Sequence, residues 1–184
     1  VTRRLGDRHG AITFGLSSDA DVRAVNIEAA NGAFKFDVKR RSAHGTNQLG
    51  SIHLPMRGLY NVRNALAAAA MALEIGVEFA DIAAALAKFG GVARRFDVRG
   101  VDGGATFVDD YAHLPTEIDS VLTGARESGD GWNRVIAVFQ PNRFNRISEI
   151  WRDYADAFGQ ADLVALTDIF ASGTTPIPGI TGKL

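Results

Sequence analysis

Apolar runs alternate with helix-length segments in the C-terminal half of the chain, and this pattern constrains the fold more than any other feature. The stretches RVIAVFQP and DLVALTDIF predict two buried strands, with a helix over residues 147–159 between them. Another helix is predicted to begin at Pro115, because proline is favoured in the first turn of a helix. A β-hairpin is predicted around Asp102–Gly103–Gly104, before that helix. Strands that alternate with helices are typical of an α/β fold with a mainly parallel sheet.

The N-terminal half has a different pattern. Residues 12–55 predict β-structure, with the Asn31–Gly32 pair as the strongest hairpin signal. Residues 60–88 predict two alanine-rich helices that end at Gly76 and at Gly90–Gly91. The change of pattern near residues 89–94 predicts a boundary between two domains, 1–92 and 93–184.

Composition excludes several classes of function. The 184 residues carry a net charge of -1, so no basic excess is available to bind nucleic acid through its phosphates. No apolar run is long enough to span a membrane. The chain has no cysteine, which excludes disulfides, thiolate catalysis and cysteine-based zinc sites and fits a cytoplasmic protein. It also has no GxxxxGK[ST] phosphate loop, nucleophile elbow, HExxH motif or GxGxxG motif.

Polar side chains follow three predicted strands at their carboxyl ends, where open α/β sheets bind ligands. The first set is Asp109, Asp110, Tyr111 and His113, the second is Gln140, Asn142, Arg143 and Arg146, and the third is Asp168 and Ser172. Three such sets on one edge predict a functional site there.

The first set permits more than one interpretation. Side chains of consecutive strand residues point to opposite faces, so Asp109 and Asp110 do not both serve one ligand. One of them, Asp109, could cap the next helix or hold the loop, while the other could bind a ribose diol. His113, beside a helix start, is either structural or part of the site.

Arg143 and Arg146 are three residues apart, so they can share one helix face. Guanidinium groups bind carboxylates or phosphates through paired hydrogen bonds, which indicates a clamp for an anionic substrate. The alternative is a surface ion pair with Glu149 or Asp153.

Three residues upstream also permit two interpretations. Asn61 could serve only as a helix N-cap, because asparagine is favoured there, whereas Asn64 would lie inside the first turn and could contact an adenine edge. Arg95 follows Arg94 at the predicted boundary, where it is either a solvated linker charge or a contact for a phosphate or ribose.

Five segments together resemble one known family. They are GLYNVRNALAAAAMALEIG, FGGVARRFD, FVDDYAHLPTEI, VIAVFQPNRFNR and DIFASGTTPIPG, in this order along the chain. Their order and spacing are similar to those of the Mur ligases. The resemblance implies the branch that uses ATP to join L-alanine to UDP-N-acetylmuramate, through an acyl phosphate, in cytoplasmic peptidoglycan synthesis.

The family architecture implies that this chain is a piece of a longer enzyme. Residues 1–92 would be the end of the central P-loop-type ATPase domain, formed by β-hairpins and two helices. Residues 93–184 would begin the Rossmann-like C-terminal domain. The phosphate loop and the Mg²⁺ ligands are then expected upstream, and the isolated chain is expected to be inactive.

The resemblance also implies roles for individual residues. Asn61 and Asn64 match the adenine-contact motif, Arg95 matches the hinge arginine that contacts the nucleotide, and Asp110 matches the ribose-binding aspartate. Tyr111 and His113 match the loop that meets the muramate substrate and the amino acid. Arg143 and Arg146 match the pair that would hold the amino-acid carboxylate, so His113 and both arginines are the expected catalytic residues.

Three positions depart from the family pattern: Tyr60, Leu114 and Asn142 stand where histidines are often found. The last two departures affect the expected amino-acid contacts. Two alternatives stay open: a related ligase that reattaches tripeptide during murein recycling, and a non-catalytic nucleotide-binding module. The Arg143–Arg146 pair favours the L-alanine ligase over the recycling ligase.

Overall fold

The computed structural model describes residues 11–43 and 45–182, which form two compact units. The first unit runs to Gly91 and also includes Glu127–Asp130. The second unit comprises Val92–Arg126 and the chain from Gly131 onward. No helix in the described ranges is long and apolar enough to cross a membrane.

The first unit is a four-stranded sheet covered by two helices. Its elements are β1 (Phe14–Gly15), β2 (Val22–Ala30), β3 (Ala33–Ser42), β4 (Gly45–Leu54), α1 (Leu59–Glu74) and α2 (Phe79–Ala87). The strand order is β1-β2-β3-β4, with β1 parallel to β2 and the other pairs antiparallel. The predicted hairpin is confirmed, because Asn31 and Gly32 have φ values of 51° and 73°, both positive as a type I′ turn requires.

The core of this unit follows the alternation of β3. Phe34, Phe36 and Val38 are buried on one face and pack with Val62 and Leu66 of α1. Fully burying such a side chain stabilises a fold by about 1.5–3 kcal/mol, so this face fixes the strand register. The predicted end of α1 is confirmed as well, since Gly76 has φ 86° immediately beyond the helix.

A segment from later in the chain completes the first unit. The carbonyl oxygen of Ser128 accepts a hydrogen bond from the Gly32 N–H at 3.0 Å, and Arg57 donates two hydrogen bonds to Asp130. Gly129 has φ 70°, and a Cβ there would lie 3.2 Å from the Ala30 Cα. Glycine is therefore required where this segment meets the β2–β3 turn.

The second unit contains two separate strand pairs and two helices. Its elements are β5 (Asp97–Asp102), β6 (Ala105–Asp109), α3 (Pro115–Glu127), β7 (Ile136–Phe139), α4 (Phe144–Ile150), a 3₁₀ helix (Trp151–Tyr154) and β8 (Leu163–Leu166). The parallel pair β7–β8 confirms the α/β class, and the β5–β6 hairpin turns at Gly103–Gly104 as predicted. The helix predicted from Pro115 is also confirmed.

Two sequence-based expectations about this sheet were wrong. In the described part of the chain, β6 pairs with β5 and not with β7, so the three polar strand ends do not belong to one hydrogen-bonded edge. β7 and β8 were expected to be buried, yet Ile136 is 47% exposed and Val138 is 74% exposed. The apolar sequence correctly predicts strands, but a sheet of only two strands leaves much of their apolar surface exposed.

The helix expected over residues 147–159 begins earlier and ends earlier. The α-helix spans Phe144–Ile150, and the chain then tightens into the 3₁₀ helix Trp151–Tyr154. The early start depends on Arg143, which adopts φ 69° at the N-terminal boundary. Positive φ is uncommon for residues other than glycine, so the sequence contained no local signal for this start.

Candidate functional site

The loop after β6 is organised by Asp110. Its two carboxylate oxygens accept hydrogen bonds from the backbone N–H groups of Phe96 at 2.8 Å and of Ala112 at 2.7 Å. Asp109 instead lies 3.5 Å from the Nε of Arg94. The expectation that Asp109 would cap the helix or hold the loop was therefore wrong, because the carboxylate that holds the loop belongs to Asp110.

Glu117 caps the helix that follows. It is the third residue of α3, and its Oε2 accepts hydrogen bonds from the N–H groups of His113 at 2.9 Å and Leu114 at 3.2 Å. Burial raises the pKa of Glu117, but these two hydrogen bonds and the charges of His113 and Arg95 together lower the pKa below its ordinary value. The sequence analysis missed this residue, although a glutamate two positions after Pro115 has the spacing of a capping box.

The imidazole of His113 is held from one side. Its Nδ1 lies 2.9 Å from the carbonyl oxygen of Tyr111 and 3.3 Å from Oε2 of Glu117. Both neighbours are acceptors, so in the neutral ring Nδ1 carries the hydrogen and Nε2 carries the lone pair. The ring is partly exposed, and its Nε2 is therefore a candidate proton acceptor.

Tyr111 lies beneath two cationic side chains. The guanidinium carbons of Arg94 and Arg95 are 4.9 Å and 5.7 Å from its ring centroid, and the His113 ring makes an edge contact at 5.3 Å. Such distances permit cation–π attraction. Tyr111 is half exposed, so the cluster presents two positive charges and an aromatic face to solvent.

A partly buried tyrosine links this loop to the segment after α4. The Tyr154 hydroxyl donates a 2.7 Å hydrogen bond to the carbonyl oxygen of His113. Burial raises the pKa of Tyr154, and the nearby Arg146 charge only partly opposes this effect. Tyr154 therefore stays protonated and donates this hydrogen bond at neutral pH. Because the Arg146 charge acts on Tyr154, Arg146 lies close to the loop that contains His113.

Arg143 and Arg146 follow β7 with their backbone fixed. The Arg143 N–H donates to the Phe170 carbonyl at 2.9 Å, and the Phe144 N–H donates to the Thr174 hydroxyl oxygen at 3.1 Å. In residues 11–43 and 45–182, neither guanidinium lies within 4.0 Å of a carboxylate. The alternative of ion pairs with Glu149 or Asp153 was therefore wrong, and both charges are available to an anion.

Asn61 and Asn64 lie in the first unit. The interpretation of Asn61 as an N-cap was wrong, because Gly58 precedes the first residue of α1 and no side chain caps this helix. The buried Asn61 amide donates to the Arg57 carbonyl at 2.8 Å and accepts a 3.2 Å hydrogen bond from Asn64. Asn64 itself is exposed, so the pair consists of an anchored and an accessible amide.

The second unit thus brings together Arg95, Tyr111, His113 and Arg146 around Glu117 and Tyr154. Across the described ranges, no three His, Asp or Glu side chains converge as they would to hold a metal ion. The arrangement is suited to binding an anionic substrate and accepting a proton from it.

Residues 94–181 match the family model described as Mur ligase, glutamate ligase domain. Over 176 residues, 96% of its length, the chain is 46% identical to the UDP-N-acetylmuramate–L-alanine ligase of Cereibacter sphaeroides. The aligned part is 37% of that relative, so the chain spans little more than a third of its length.

Two solved structures are similar in fold. A UDP-N-acetylmuramate–alanine ligase from Thermotoga maritima has a TM-score of 0.72 and 30% identity, covering 89% of this chain and 35% of that one. A murein peptide ligase from Psychrobacter arcticus has a TM-score of 0.55 and 29% identity, covering 84% of this chain and 31% of that one.

Proposed function

Because the chain belongs to the Mur ligase family, we propose that it is part of an ATP-dependent ligase that joins L-alanine to UDP-N-acetylmuramate. The observation that carries this proposal is the identity to an L-alanine ligase over 96% of the chain, which extends through both units. The reaction belongs to peptidoglycan synthesis, and we place the enzyme in the cytoplasm.

Arg143 and Arg146 fit the acceptor of this reaction. L-Alanine carries a carboxylate, and paired guanidinium groups recognise a carboxylate with defined geometry. The two arginines would hold that carboxylate, while Tyr111 and His113 would meet the muramate substrate and the amine. Neither guanidinium has a carboxylate partner in the described chain, so both are accessible to an anionic ligand.

The nucleotide would contact other residues. Asn61 and Asn64 would bind adenine, Arg95 would contact the ribose or a phosphate, and Asp110 would bind the ribose. Asp110 already accepts two backbone hydrogen bonds, but each carboxylate oxygen has a second lone pair for a hydroxyl group.

In this reaction the protein mainly positions the substrates and forms no covalent bond with them. ATP phosphorylates the muramate carboxylate, and the amine of L-alanine then attacks the acyl carbon and displaces phosphate. Charge stabilisation and orientation are the main contributions of a protein to such steps. We propose that Mg²⁺ assists the phosphoryl transfer and that its ligands belong to another part of the longer enzyme.

The runner-up is the ligase that reattaches a tripeptide in murein recycling. Its support is the structural similarity to the Psychrobacter arcticus enzyme. The higher TM-score with the alanine ligase and the presence of the Arg143–Arg146 pair favour L-alanine as the acceptor.

Phosphate release from ATP by the full-length gene product tests the proposal. UDP-N-acetylmuramate would be supplied with either L-alanine or the tripeptide, and the isolated 184-residue chain would serve as a control that we expect to be inactive. Turnover with L-alanine is the expected result. Turnover with tripeptide alone would assign the enzyme to recycling, and no turnover with either would leave the chain as a non-catalytic relative.

A further inference from the structure

The His113 imidazole and the Glu117 carboxylate are arranged as an orienting pair. One oxygen of Glu117 accepts the backbone N–H of His113 at 2.9 Å and lies 3.3 Å from Nδ1 of the same residue. The carboxylate therefore holds both the backbone and the ring of one histidine. A carboxylate that served only as a helix cap would require the backbone contacts and not the ring contact.

The pKa of Glu117 lies below its ordinary value, so the carboxylate is ionised at neutral pH. Hydrogen bonds from the His113 and Leu114 backbone lower this pKa most, and the charges of His113 and Arg95 lower it further. An ionised carboxylate beside Nδ1 stabilises the imidazolium that forms when Nε2 gains a proton, as the acidic member of a catalytic triad does.

We propose that Glu117 is a positioning residue that fixes His113 with Nε2 as the proton acceptor for the incoming amine. This inference rests on the proposed function. The ammonium group of L-alanine transfers one proton to Nε2, and its nitrogen lone pair then forms the bond to the acyl carbon. The C–O bond to phosphate breaks, the phosphate leaves with the electron pair, and it takes the second proton that the nitrogen loses as the amide forms.

Several groups face the His113 ring. The Tyr111 ring and carbonyl approach from the loop, Glu117 from α3, and Tyr154 from the 3₁₀ helix contacts the backbone. Arg95 and Arg146 are the nearby cations, acting on Glu117 and Tyr154 respectively. Among these neighbours, Glu117 is the carboxylate at the ring.

The first test measures the imidazole nitrogen chemical shifts of the chain by NMR, with His113→Gln used to assign the signal. We expect the neutral ring to carry its hydrogen on Nδ1. A ring with its hydrogen on Nε2 would overturn the proposal. The NMR measurement requires no catalytic activity, so it tests the orientation of the His113 ring independently of the proposed function.

The second test uses Glu117→Gln in the full-length enzyme. Glutamine retains an acceptor for both backbone N–H groups, so the helix cap is kept while the charge is lost. We expect kcat to fall at least tenfold, the KM for ATP to stay within twofold, and the acid limb of the kcat–pH profile to move to lower pH. A neutral neighbour no longer stabilises the imidazolium, which makes the histidine a weaker base.

Asp81→Asn is the matched control, because Asp81 is also the third residue of its helix and is exposed. It should change kcat less than twofold. If Glu117→Gln leaves both kcat and the pH profile unchanged, Glu117 is only a cap and the proposal fails. If the wild-type enzyme does not turn over with L-alanine, the proposed function fails instead, and the tautomer measurement still decides the orientation.

Discussion

The contact between Arg57 and Asp130 should contribute substantially to the stability of the first unit. Arg57 donates through Nε at 2.8 Å and through a terminal nitrogen at 2.9 Å to the two oxygens of Asp130. The side chains are only 23% and 13% exposed, so solvent screens the pair weakly. The guanidinium also covers Gly32, where an added Cβ would lie 2.5 Å from it.

The expected loss follows from these contacts. A hydrogen bond to a charged group contributes about 1.5–3 kcal/mol, and removing one partner of a partly buried pair adds the desolvation cost of the other. Asp130→Asn keeps one acceptor but removes the charge, so we expect a loss of about 2 kcal/mol in the free energy of unfolding of this unit. The equivalent change in an exposed pair should cost about 0.5 kcal/mol or less.

Glu74→Gln supplies that comparison. Arg40 and Glu74 form an ion pair at 2.6 Å, with side chains 38% and 43% exposed. A double-mutant cycle with Arg57→Met would then separate the pair interaction from the packing of the guanidinium on Gly32.

Amide hydrogen exchange is the appropriate assay. Both tryptophans, Trp132 and Trp151, lie in the second unit, so their fluorescence does not report on the first. The Gly32 N–H donates to Ser128, two residues from Asp130, and its exchange free energy reports directly on this contact. A loss from Asp130→Asn no larger than that from Glu74→Gln would refute the reasoning, because the pair would then behave as a screened surface pair.

Three further predictions concern the ligand clamp, acid stability and the exposed sheet. Arg146→Ala in the full-length enzyme should raise the KM for L-alanine or lower kcat at least tenfold, about 1.4 kcal/mol; unchanged kinetics would contradict the clamp. Hydrogen bonds from the Thr13 side chain and backbone lower the pKa of Asp21 below 3.8, so its stabilisation is present above that pH and is lost as pH falls through the folded pKa. Thr13→Val should therefore flatten the acid limb of an unfolding–pH curve, whereas an unchanged limb would refute this. Val138→Thr should reduce concentration-dependent association of the isolated chain in light scattering, because Val138 is an exposed aliphatic residue on a two-stranded sheet; equal scattering would contradict it.

Local signals predicted the elements that depend on a few adjacent residues. The Asn31–Gly32 turn, the end of α1 at Gly76 and the start of α3 at Pro115 were all confirmed. Each depends on a backbone preference that one or two side chains determine. Such preferences do not require knowledge of what packs nearby.

Contacts between distant residues escaped the sequence analysis. Asp110 binds the N–H of Phe96, fourteen positions earlier, and no local pattern distinguishes it from Asp109 for that role. The segment Glu127–Asp130 belongs to the first unit, although its first residue is the last residue of α3 and the rest of that helix belongs to the second unit. Pairing of this kind depends on tertiary position, which composition and periodicity do not encode.

At Arg143 in the candidate site, the local backbone preference and the tertiary contacts disagree. Arg143 has φ 69°, a conformation that costs an L-residue other than glycine about 1–2 kcal/mol. Glycine would adopt this φ more easily, so arginine is not the residue that the local backbone favours here. The Phe170 carbonyl and the Thr174 hydroxyl hold the backbone on either side of the Arg143–Phe144 peptide, and they offset that cost. The arginine side chain is exposed and lacks a carboxylate partner in the described residues, so folding alone does not account for its presence. Local rules are broken most often where function requires a particular side chain, and Arg143 fits that case because a strained backbone presents a guanidinium to an anionic ligand.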